Sequence, residues 1–216
     1  MKKFPFCTLF TIFLTLAPLL SAQETKTQLA AGKNPASAAK IPLAGIHNAG
    51  KINDHLFRGA QPNQDGVQSL RKLGVTTIIG LRAEDHSRSA EEKKLAESLG
   101  MNFVPIPNDA WSTPTDAHMA EFFRLIAQRP QQTIFVHCQF GEDRTGVYVA
   151  AYRMAFEHWT WRQALAEMRD FHFNSFWHPN MRDYVKHFPQ RLATSEALAP
   201  YRSFSVSPST ASTSAR

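Results

Sequence analysis

The part of this sequence that most constrains its fold is residues 133–158, where a strand-like run, a short turn and a helix-like run follow one another. Residues 133–137 (TIFVH) are rich in β-branched and aromatic side chains, which is typical of a buried strand. Residues 147–158 are mostly apolar and predict a helix. The turn between them contains Gly141 and leads directly into the helix. This order indicates an α/β fold.

The rest of the body of the chain repeats the alternation of strands and helices. The patterns predict strands at 55–58, 75–81 and 102–106, and helices at 64–73, 89–99, 115–127, 147–158, 161–171 and 179–192. For the helix over 89–99, Ser89 is the predicted N-cap and Glu92 its capping-box partner. The predicted fold is α/β, with a central mostly parallel sheet flanked by helices and a helical C-terminal half.

The two ends of the chain differ in composition from its body. Residues 1–22 combine Lys2 and Lys3 with an apolar stretch and small residues at its end, which predicts a cleaved signal peptide. A transmembrane anchor is the alternative, but residues 4–20 contain two prolines and are at the short limit for a bilayer. We predict a flexible lead-in at 23–45, one folded domain at 46–195 and a Ser/Thr-rich disordered tail at 196–216.

Cysteine content and charge exclude several classes of protein. Cys7 lies in the predicted signal peptide, so Cys138 is the remaining cysteine of an exported chain, and a disulfide-rich scaffold or a Cys-based zinc site is excluded. The net charge of +6 is scattered without a long Lys/Arg block, and no nucleic-acid partner is predicted. The nine histidines lack metal-binding spacing, so we predict no metal and no cofactor.

The turn and its flanks (HCQFGEDRTG, residues 137–146) have the residue types of a phosphate-binding loop. A loop between a strand and a helix N-terminus can direct successive backbone N–H groups at an anion. Gly141 permits the left-handed turn or the close approach that such a loop needs. Arg144, at the start of the helix, can bind two phosphate oxygens through its planar guanidinium.

The same loop is suited to activate a nucleophile. Inward N–H groups and the helix dipole favour the thiolate form of Cys138. The hydroxyl of Thr145 is placed to donate a hydrogen bond to the sulfur, and His137 to hydrogen-bond the loop backbone. The alternative for Cys138 is a buried inert thiol. The surrounding residues favour the activated nucleophile.

HCQFGEDRTG resembles the His-Cys-x5-Arg-Thr/Ser signature of the cysteine-dependent protein tyrosine and dual-specificity phosphatases. FRGAQP (residues 57–62) resembles a segment of atypical bacterial, plant and fungal members, and the resemblance covers roughly residues 50–192. Arg58 in this segment is expected to be exposed, as a surface charge or as a loop anchor through a carboxylate. Chain size and signal peptide look most like the small periplasmic dual-specificity phosphatases of Gram-negative bacteria. The resemblance implies a phosphocysteine on Cys138 that water then hydrolyses.

Such a mechanism needs a general acid and base. Asp109 follows the third predicted strand, where family members carry the mobile acid loop, and is assigned that role. Asp116 is the rival, although its position predicts a helix N-cap. Asp143, immediately before Arg144, gives a G-x-D-R-T pattern that resembles myotubularin-like lipid phosphatases. It is the alternative acid, or else it hydrogen-bonds the neighbouring backbone.

The loop residues also bear on the substrate. Family members that act on highly phosphorylated inositides often carry Lys where this chain has Gln139 and Glu142. A carboxylate at the mouth repels a polyanion, so polyphosphoinositides are disfavoured, although Asp143 favours lipids by its resemblance. The residues predicted to bind substrate are Gln139, Phe140, Gly141, Glu142, Asp143 and Arg144.

The leading functional hypothesis is a phosphomonoester hydrolase that acts on phosphotyrosine proteins, and on phosphoserine and phosphothreonine as further substrates. The first alternative is a phosphatidylinositol or inositol phosphate phosphatase, and a remote one is an inactive phosphate-binding module on the same fold. Sulfur transfer is disfavoured because His137 and the Arg-Thr-Gly run suit phosphate. The predicted partners are therefore a phosphorylated protein or a phospholipid. We predict export to the periplasm, or secretion, without stable membrane insertion after cleavage.

Overall fold

One mixed sheet forms the centre of the computed structural model of the protein, which describes residues 36–127 and 132–205. Its six strands among these residues are β1 (Ala39–Lys40), β2 (Gly50–Lys51), β3 (Leu56–Ala60), β4 (Thr77–Arg82), β5 (Asn102–Asn108) and β6 (Ile134–Cys138). Their spatial order is β1-β2-β3-β6-β4-β5. The pairs β3–β6, β6–β4 and β4–β5 are parallel, and β1–β2 and β2–β3 are antiparallel. The predicted mostly parallel central sheet is confirmed.

Helices cover this sheet, and the described residues after Cys138 are mostly helical, as predicted. The described residues contain the α-helices α1 (Gln64–Lys72), α2 (His86–Ser98), α3 (Asp116–Ala127), α4 (Asp143–Phe156), α5 (Trp161–Asp170), α6 (Pro179–Thr194) and α7 (Arg202–Ser205). The helix α4 is buried along most of its length and packs against α5 and α6. No helix within residues 36–127 and 132–205 is long and apolar enough to cross a membrane.

The central strands place successive side chains in two different apolar layers. Ile78 and Phe135 pack in one layer with residues of α1 and α2, whereas their neighbours Ile79 and Val136 pack in the other with residues of α4. This alternation follows from the period of two residues in a β-strand. It explains why the continuous apolar runs of β4 and β6 are buried on both faces of the sheet.

The predicted capping box of the second helix is wrong. The helix α2 begins at His86, three residues earlier than predicted, and Asp85 is its N-cap, with a carboxylate that accepts from the backbone N–H of Arg88 at 3.1 Å. Ser89 therefore lies inside the helix. Glu92 is buried against the sheet and caps no helix end.

Other predicted boundaries also move. The strand β3 continues through Gly59, which pairs with His137, and α4 begins at Asp143 and not at 147. The described part of the predicted lead-in is not a free segment, because β1 adds to the sheet. The predicted tail starts too early, since Leu198 and Tyr201 are buried. The remaining predictions for 1–35 and 206–216, the signal peptide among them, lie outside the described residues.

Candidate active site

The candidate site lies at the carboxyl edge of the parallel strands. Cys138 is the last residue of β6, in the middle of the sheet, and it is only 3% exposed. Residues 139–142 form a short loop, after which α4 begins at Asp143. The first N–H groups of a helix lack intrahelical acceptors, so this end of α4 can bind an anion. Cys138 thus stands where the sheet, the loop and the helix N-terminus meet.

Close approach to the neighbouring strand determines the shape of the loop. Gly141 has a φ of +72°, and a Cβ atom at this position would lie 2.3 Å from the carbonyl carbon of Gly59 in β3. Asn48 donates from its amide nitrogen to the carbonyl oxygens of Phe140 and Gly141, both at 3.3 Å. Because glycine has no Cβ, it adopts the left-handed conformation without strain and avoids the overlap with Gly59.

A buried arginine supports the loop from the sheet side. Arg58 is fully buried, and its Nη2 donates to the carbonyl oxygen of Gly141 at 2.6 Å. The prediction that Arg58 is exposed is wrong, because β3 lies inside the sheet next to β6. Its guanidinium lies 4.0 Å from the ring centre of Phe171. Burial lowers the pKa of Arg58 to about 10, and interaction with Glu167 and with Cys138 partly offsets this effect.

Arg144 is held in place by an acidic side chain from another loop. Glu84, which follows β4, accepts from Nη1 at 2.8 Å and from Nη2 at 2.9 Å, and the carbonyl oxygen of Asn108 accepts from Nη1 at 3.0 Å. The hydrogen bond from Arg144 lowers the pKa of Glu84 to about 2. No described residue accepts from Nε of Arg144. The Nε–H and one Nη2–H, which lie on one edge of the guanidinium, are therefore available for two oxygens of an anion.

His137 contacts the loop backbone and also has a partner that no signal in the sequence marks. Its Nδ1 lies 3.3 Å from the carbonyl oxygen of Cys138, and its Nε2 lies 3.0 Å from a carboxylate oxygen of Glu92 in α2. The second oxygen of Glu92 accepts from the amide of Gln61 at 2.9 Å, and Gln61 accepts from Arg82. Glu92 thus connects the imidazole, through a contact at ion-pair distance, with buried polar side chains beneath the nucleophile loop, residues 138–143.

The remaining loop residues face either the interior or an open groove. Thr145 is buried, and its hydroxyl has no hydrogen-bond partner among the described residues, so the hydrogen bond to the sulfur stays a prediction. Gln139, Phe140 and Glu142 line a groove of about 1080 Å³ beside the loop. Burial raises the pKa of Glu142, and the neighbouring charge of Asp143 adds to this shift.

The residues considered as acids occupy different environments. Asp109 follows β5 and is exposed, in a turn where its carbonyl oxygen accepts from the N–H of Ser112 at 3.2 Å. The structure brings it near the site, because the adjacent Asn108 contacts Arg144. Asp116 forms an ion pair with Arg191 at 2.7 Å, and the hydroxyl of Thr115 caps the helix α3.

Asp143 has a partner that sequence reasoning missed. One of its carboxylate oxygens lies 3.3 Å from Nε2 of His178, the residue before α6. Burial raises the pKa of Asp143, while His178 and Arg144 oppose this shift. A signal for Glu84 exists, since it follows a parallel strand and so lies at the same sheet edge as Cys138. No comparable sequence signal marks His178, which is 35 positions away from Asp143.

Comparison with known proteins identifies the family. A family model described as DSP-PTPase phosphatase fused to NAD+ kinase matches residues 45–182. The chain belongs to this family. Dual specificity protein phosphatase TpbA of Pseudomonas aeruginosa UCBPP-PA14 is 28% identical over 159 residues, which are 73% of this chain and 66% of TpbA. Human dual specificity protein phosphatase 26 is 26% identical over 157 residues, which are 71% of this chain and 68% of the relative.

Solved structures share the fold of this phosphatase-family chain. The crystal structure of a cysteine-to-serine variant of P. aeruginosa TpbA in complex with pTyr has a TM-score of 0.60 at 21% identity, and the match covers 81% of this chain and 98% of that one. The core catalytic domain of the PP-IP phosphatase SIW14 from S. cerevisiae, in complex with citrate, has a TM-score of 0.58 at 17% identity. This match covers 74% of this chain and 98% of that one. Within the described residues, no three His, Cys, Asp or Glu side chains are grouped to hold a metal ion.

Proposed function

We propose that this protein hydrolyses phosphotyrosine in proteins through a phosphocysteine on Cys138, with phosphoserine and phosphothreonine as further substrates. The observation that carries the proposal is the arrangement of two residues at one sheet edge. Cys138 ends the central strand β6, and Arg144 presents an unoccupied Nε edge from the first turn of the helix that follows. A nucleophile beside a bidentate anion-binding group is what phosphoryl transfer to sulfur requires.

Two displacements make up the reaction. The sulfur of Cys138 attacks phosphorus, a P–S bond forms, the P–O bond to the tyrosine oxygen breaks, and the acid protonates that oxygen. A water molecule then attacks the phosphorus, the P–S bond breaks, and the same carboxylate takes the proton of the water. Arg144 and the N–H groups at the start of α4 stabilise the charge on the phosphoryl oxygens.

The supporting roles follow from the contacts of each residue. His137 orients the loop through the carbonyl oxygen of Cys138, and its imidazole is held by Glu92. The unpartnered hydroxyl of Thr145 stabilises the thiolate. Asp109 is the general acid and base, on the exposed turn after β5. Asp143 is the alternative acid, and the raised pKa of its half-buried carboxyl favours a protonated form.

The groove beside the loop supports a protein substrate. Its apolar wall includes Ile41, Leu43 and Phe140, and its volume of about 1080 Å³ exceeds what a single phosphotyrosine side chain fills. An extended peptide that carries the phosphotyrosine can continue along this wall. A crystal structure of TpbA in complex with pTyr, which has the same fold, is consistent with such a substrate.

An inositol phosphate is the second candidate substrate class. Lys40, His47, Arg88 and His172 line the same groove and supply positive or protonatable groups for additional phosphates. Glu142 opposes a polyanion, but burial raises the pKa of its carboxyl and so reduces its negative charge in the acidic range. The structural neighbour SIW14 is described as a PP-IP phosphatase.

We also propose that the protein acts outside the cytoplasm, in the periplasm or as a secreted protein, after cleavage of residues 1–22. The support is the sequence of these residues, with Lys2 and Lys3 before an apolar stretch and small residues at its end. The partners are then exported phosphoproteins, or phospholipids for the second candidate. A single mature N-terminus at Gln23 in a periplasmic fraction is the expected result, and a full-length chain in the membrane fraction would contradict it.

The experiment that tests the proposed function compares three substrates. We expect kcat/KM of the mature protein to be higher for a phosphotyrosine peptide than for a soluble phosphatidylinositol phosphate or an inositol polyphosphate. Cys138→Ser is the blank and should bind vanadate without turnover. A preference for the inositol polyphosphate would move the assignment to the second candidate. Turnover by Cys138→Ser would contradict the nucleophile assignment for every substrate.

A further inference from the structure

His178 occupies a position between the nucleophile loop and the turn that carries Asp109. It is the N-cap residue of α6, is only 9% exposed, and directs Nε2 to Oδ2 of Asp143 at 3.3 Å. The ring of Trp111 stacks on its imidazole, with ring centres 4.7 Å apart and planes 25° from parallel. Trp111 itself is 66% exposed. One buried side chain thus contacts both candidate acid segments.

The turn with Trp111 has a second connection to the same helix end. The amide nitrogen of Asn180, in the first turn of α6, donates to the carbonyl oxygen of Trp111 at 2.7 Å. The backbone and the side chain of Trp111 are therefore both held by the start of α6. Because Asp109 is two residues from Trp111, the position of the turn that carries Asp109 depends on these contacts.

The surroundings of the imidazole determine which nitrogen carries its proton. Nδ1 of His178 is buried and has no hydrogen-bond partner among the described residues. A proton there would be a buried donor without an acceptor, which is costly. A proton on Nε2, in contrast, faces Oδ2 of Asp143 at 3.3 Å. This contact restricts the position of Oδ2 and leaves Oδ1 as the oxygen that can carry an acidic proton.

We propose that His178 is a positioning residue for proton transfer, which orients the carboxyl group of Asp143 through Nε2–H and holds the turn that carries Asp109 through its stack with Trp111. The proposal rests on the proposed function and deepens it, because it gives both candidate acids a common support. His178 touches neither the sulfur nor the phosphoryl group, so its effect is on geometry and on the proton affinity of Asp143.

Other charged groups act on the same carboxyl. Arg144 follows Asp143 in the chain and favours its ionised form, as does His178. Glu142 precedes it and interacts with His172 and His178 as well as with Asp143. Because His178 opposes the effect of burial, its replacement by an apolar ring should raise the pKa of Asp143 further. A variant that keeps the N–H donor should leave that pKa closer to its value in the unaltered protein.

Two substitutions separate the two contacts of His178. His178→Phe keeps an aromatic ring against Trp111 and removes the N–H donor, whereas His178→Gln keeps an N–H donor near Oδ2 and removes the ring. His187→Gln is the matched control, since His187 is an exposed histidine of the same helix, and it should leave activity unchanged. Thermal unfolding of each variant shows whether it remains folded.

The first readout is the dependence of turnover on the leaving group. For both variants we expect kcat on phenyl phosphate, a poor leaving group, to fall roughly tenfold to a hundredfold. On 4-nitrophenyl phosphate, a good leaving group, kcat and KM should stay near those of the unaltered protein. Only His178→Phe should shift the basic limb of the pH profile of kcat/KM to higher pH. Equal losses on the two substrates, or no loss, would overturn the proposal while the unaltered protein remains active.

The second readout does not depend on turnover. Ring ¹⁵N chemical shifts of His178 should report a proton on Nε2, and the Nε2 signal should move as Asp143 titrates. Asp143→Asn should abolish that movement. A proton on Nδ1, or an Nε2 signal insensitive to Asp143, would overturn the proposal. Failure of the proposed function is distinguished by an unaltered protein that turns over no substrate faster than Cys138→Ser.

Discussion

Glu84 holds Arg144 by one edge of its guanidinium and leaves the other edge unoccupied among the described residues. The two hydrogen bonds, at 2.8 and 2.9 Å, join a side chain that follows β4 to one that begins α4. The arginine is thereby oriented before any anion arrives, so binding does not have to restrict a flexible side chain. Such orientation in advance is a general means of increasing both affinity and rate.

Glu84→Gln is expected to reduce kcat/KM for a phosphotyrosine peptide by roughly tenfold and to weaken vanadate binding in parallel, because Arg144 loses a charge-assisted bidentate partner. Steady-state kinetics and vanadate inhibition measure the two effects. Glu91→Gln, which removes an exposed carboxylate in α2, is the control. Unchanged vanadate affinity in Glu84→Gln would show that Arg144 does not depend on Glu84 for its orientation.

The same carboxylate should contribute to stability in a defined pH range. Folding lowers the pKa of Glu84 from 4.5 to about 2, chiefly through the hydrogen bond from Arg144, so the stabilisation is present above pH 4.5 and is lost as pH falls toward 2. Solvent screens the pair because the Glu84 side chain is 36% exposed, and we expect at most about 1 kcal/mol. Denaturant unfolding of the unaltered protein and Glu84→Gln should differ above pH 4.5 and converge near pH 2. A difference that grows in acid would contradict this.

The buried guanidinium of Arg58 should affect the nucleophile more than the fold. Its Nε and Nη1 have no hydrogen-bond partners among the described residues. Much of the free-energy cost of removing its charge from water is therefore uncompensated. Arg58→Met should therefore change the free energy of unfolding little. It should lower the rate of Cys138 alkylation at neutral pH about tenfold, since a nearby positive charge favours the thiolate. Arg71→Met, at an exposed site in α1, is the control. Unaltered alkylation with a large loss of stability would assign Arg58 a purely structural role.

Gly141 should tolerate a methyl group less well than a glycine of the same conformation in open space. Gly100→Ala should reduce the free energy of unfolding by about 1 kcal/mol, because a side chain is strained at a φ of +75°. Steric overlap adds nothing at this position, since no atom beyond the neighbouring residues lies within 4 Å of the added Cβ. Gly141→Ala carries a similar backbone strain and also places its Cβ 2.3 Å from the carbonyl carbon of Gly59. We expect a larger loss of unfolding free energy and a loss of turnover for Gly141→Ala alone. Equal effects of the two substitutions would mean that the loop can move away from β3.

Substitution of each candidate acid should show which one protonates the leaving oxygen. If Asp109 is the acid, Asp109→Asn should lower kcat by roughly 10²–10⁴ on phenyl phosphate and much less on 4-nitrophenyl phosphate. Asp143→Asn should then have a smaller effect that does not depend on the leaving group. Pre-steady-state measurement of phenol release separates this step from hydrolysis of the phosphocysteine. The reverse pattern would assign the acid to the nucleophile loop.

Prediction from the sequence was most successful where local chemistry decides the structure. The strand–turn–helix order around Cys138, the parallel central sheet and the helical second half all appear as predicted, because side-chain periodicity and turn residues act over a few positions. It was least successful at polar residues whose partners come from elsewhere. The spacing between Ser89 and Glu92 predicted a capping box, yet Glu92 is buried beside His137. Arg58 looked like a surface charge, yet pairing of β3 with β6 encloses it.

By itself the sequence determined the loop, together with Cys138 as its proposed nucleophile and Arg144 as its proposed phosphate-binding residue, since these lie within ten consecutive positions. Only the tertiary structure decided what surrounds them. Glu84 reaches Arg144 because parallel strands end at one edge of the sheet, and His178 reaches Asp143 because α6 packs with its first turn beside α4. Such contacts depend on how whole helices and strands pack, and packing is a property of the complete apolar core and not of any short stretch of chain.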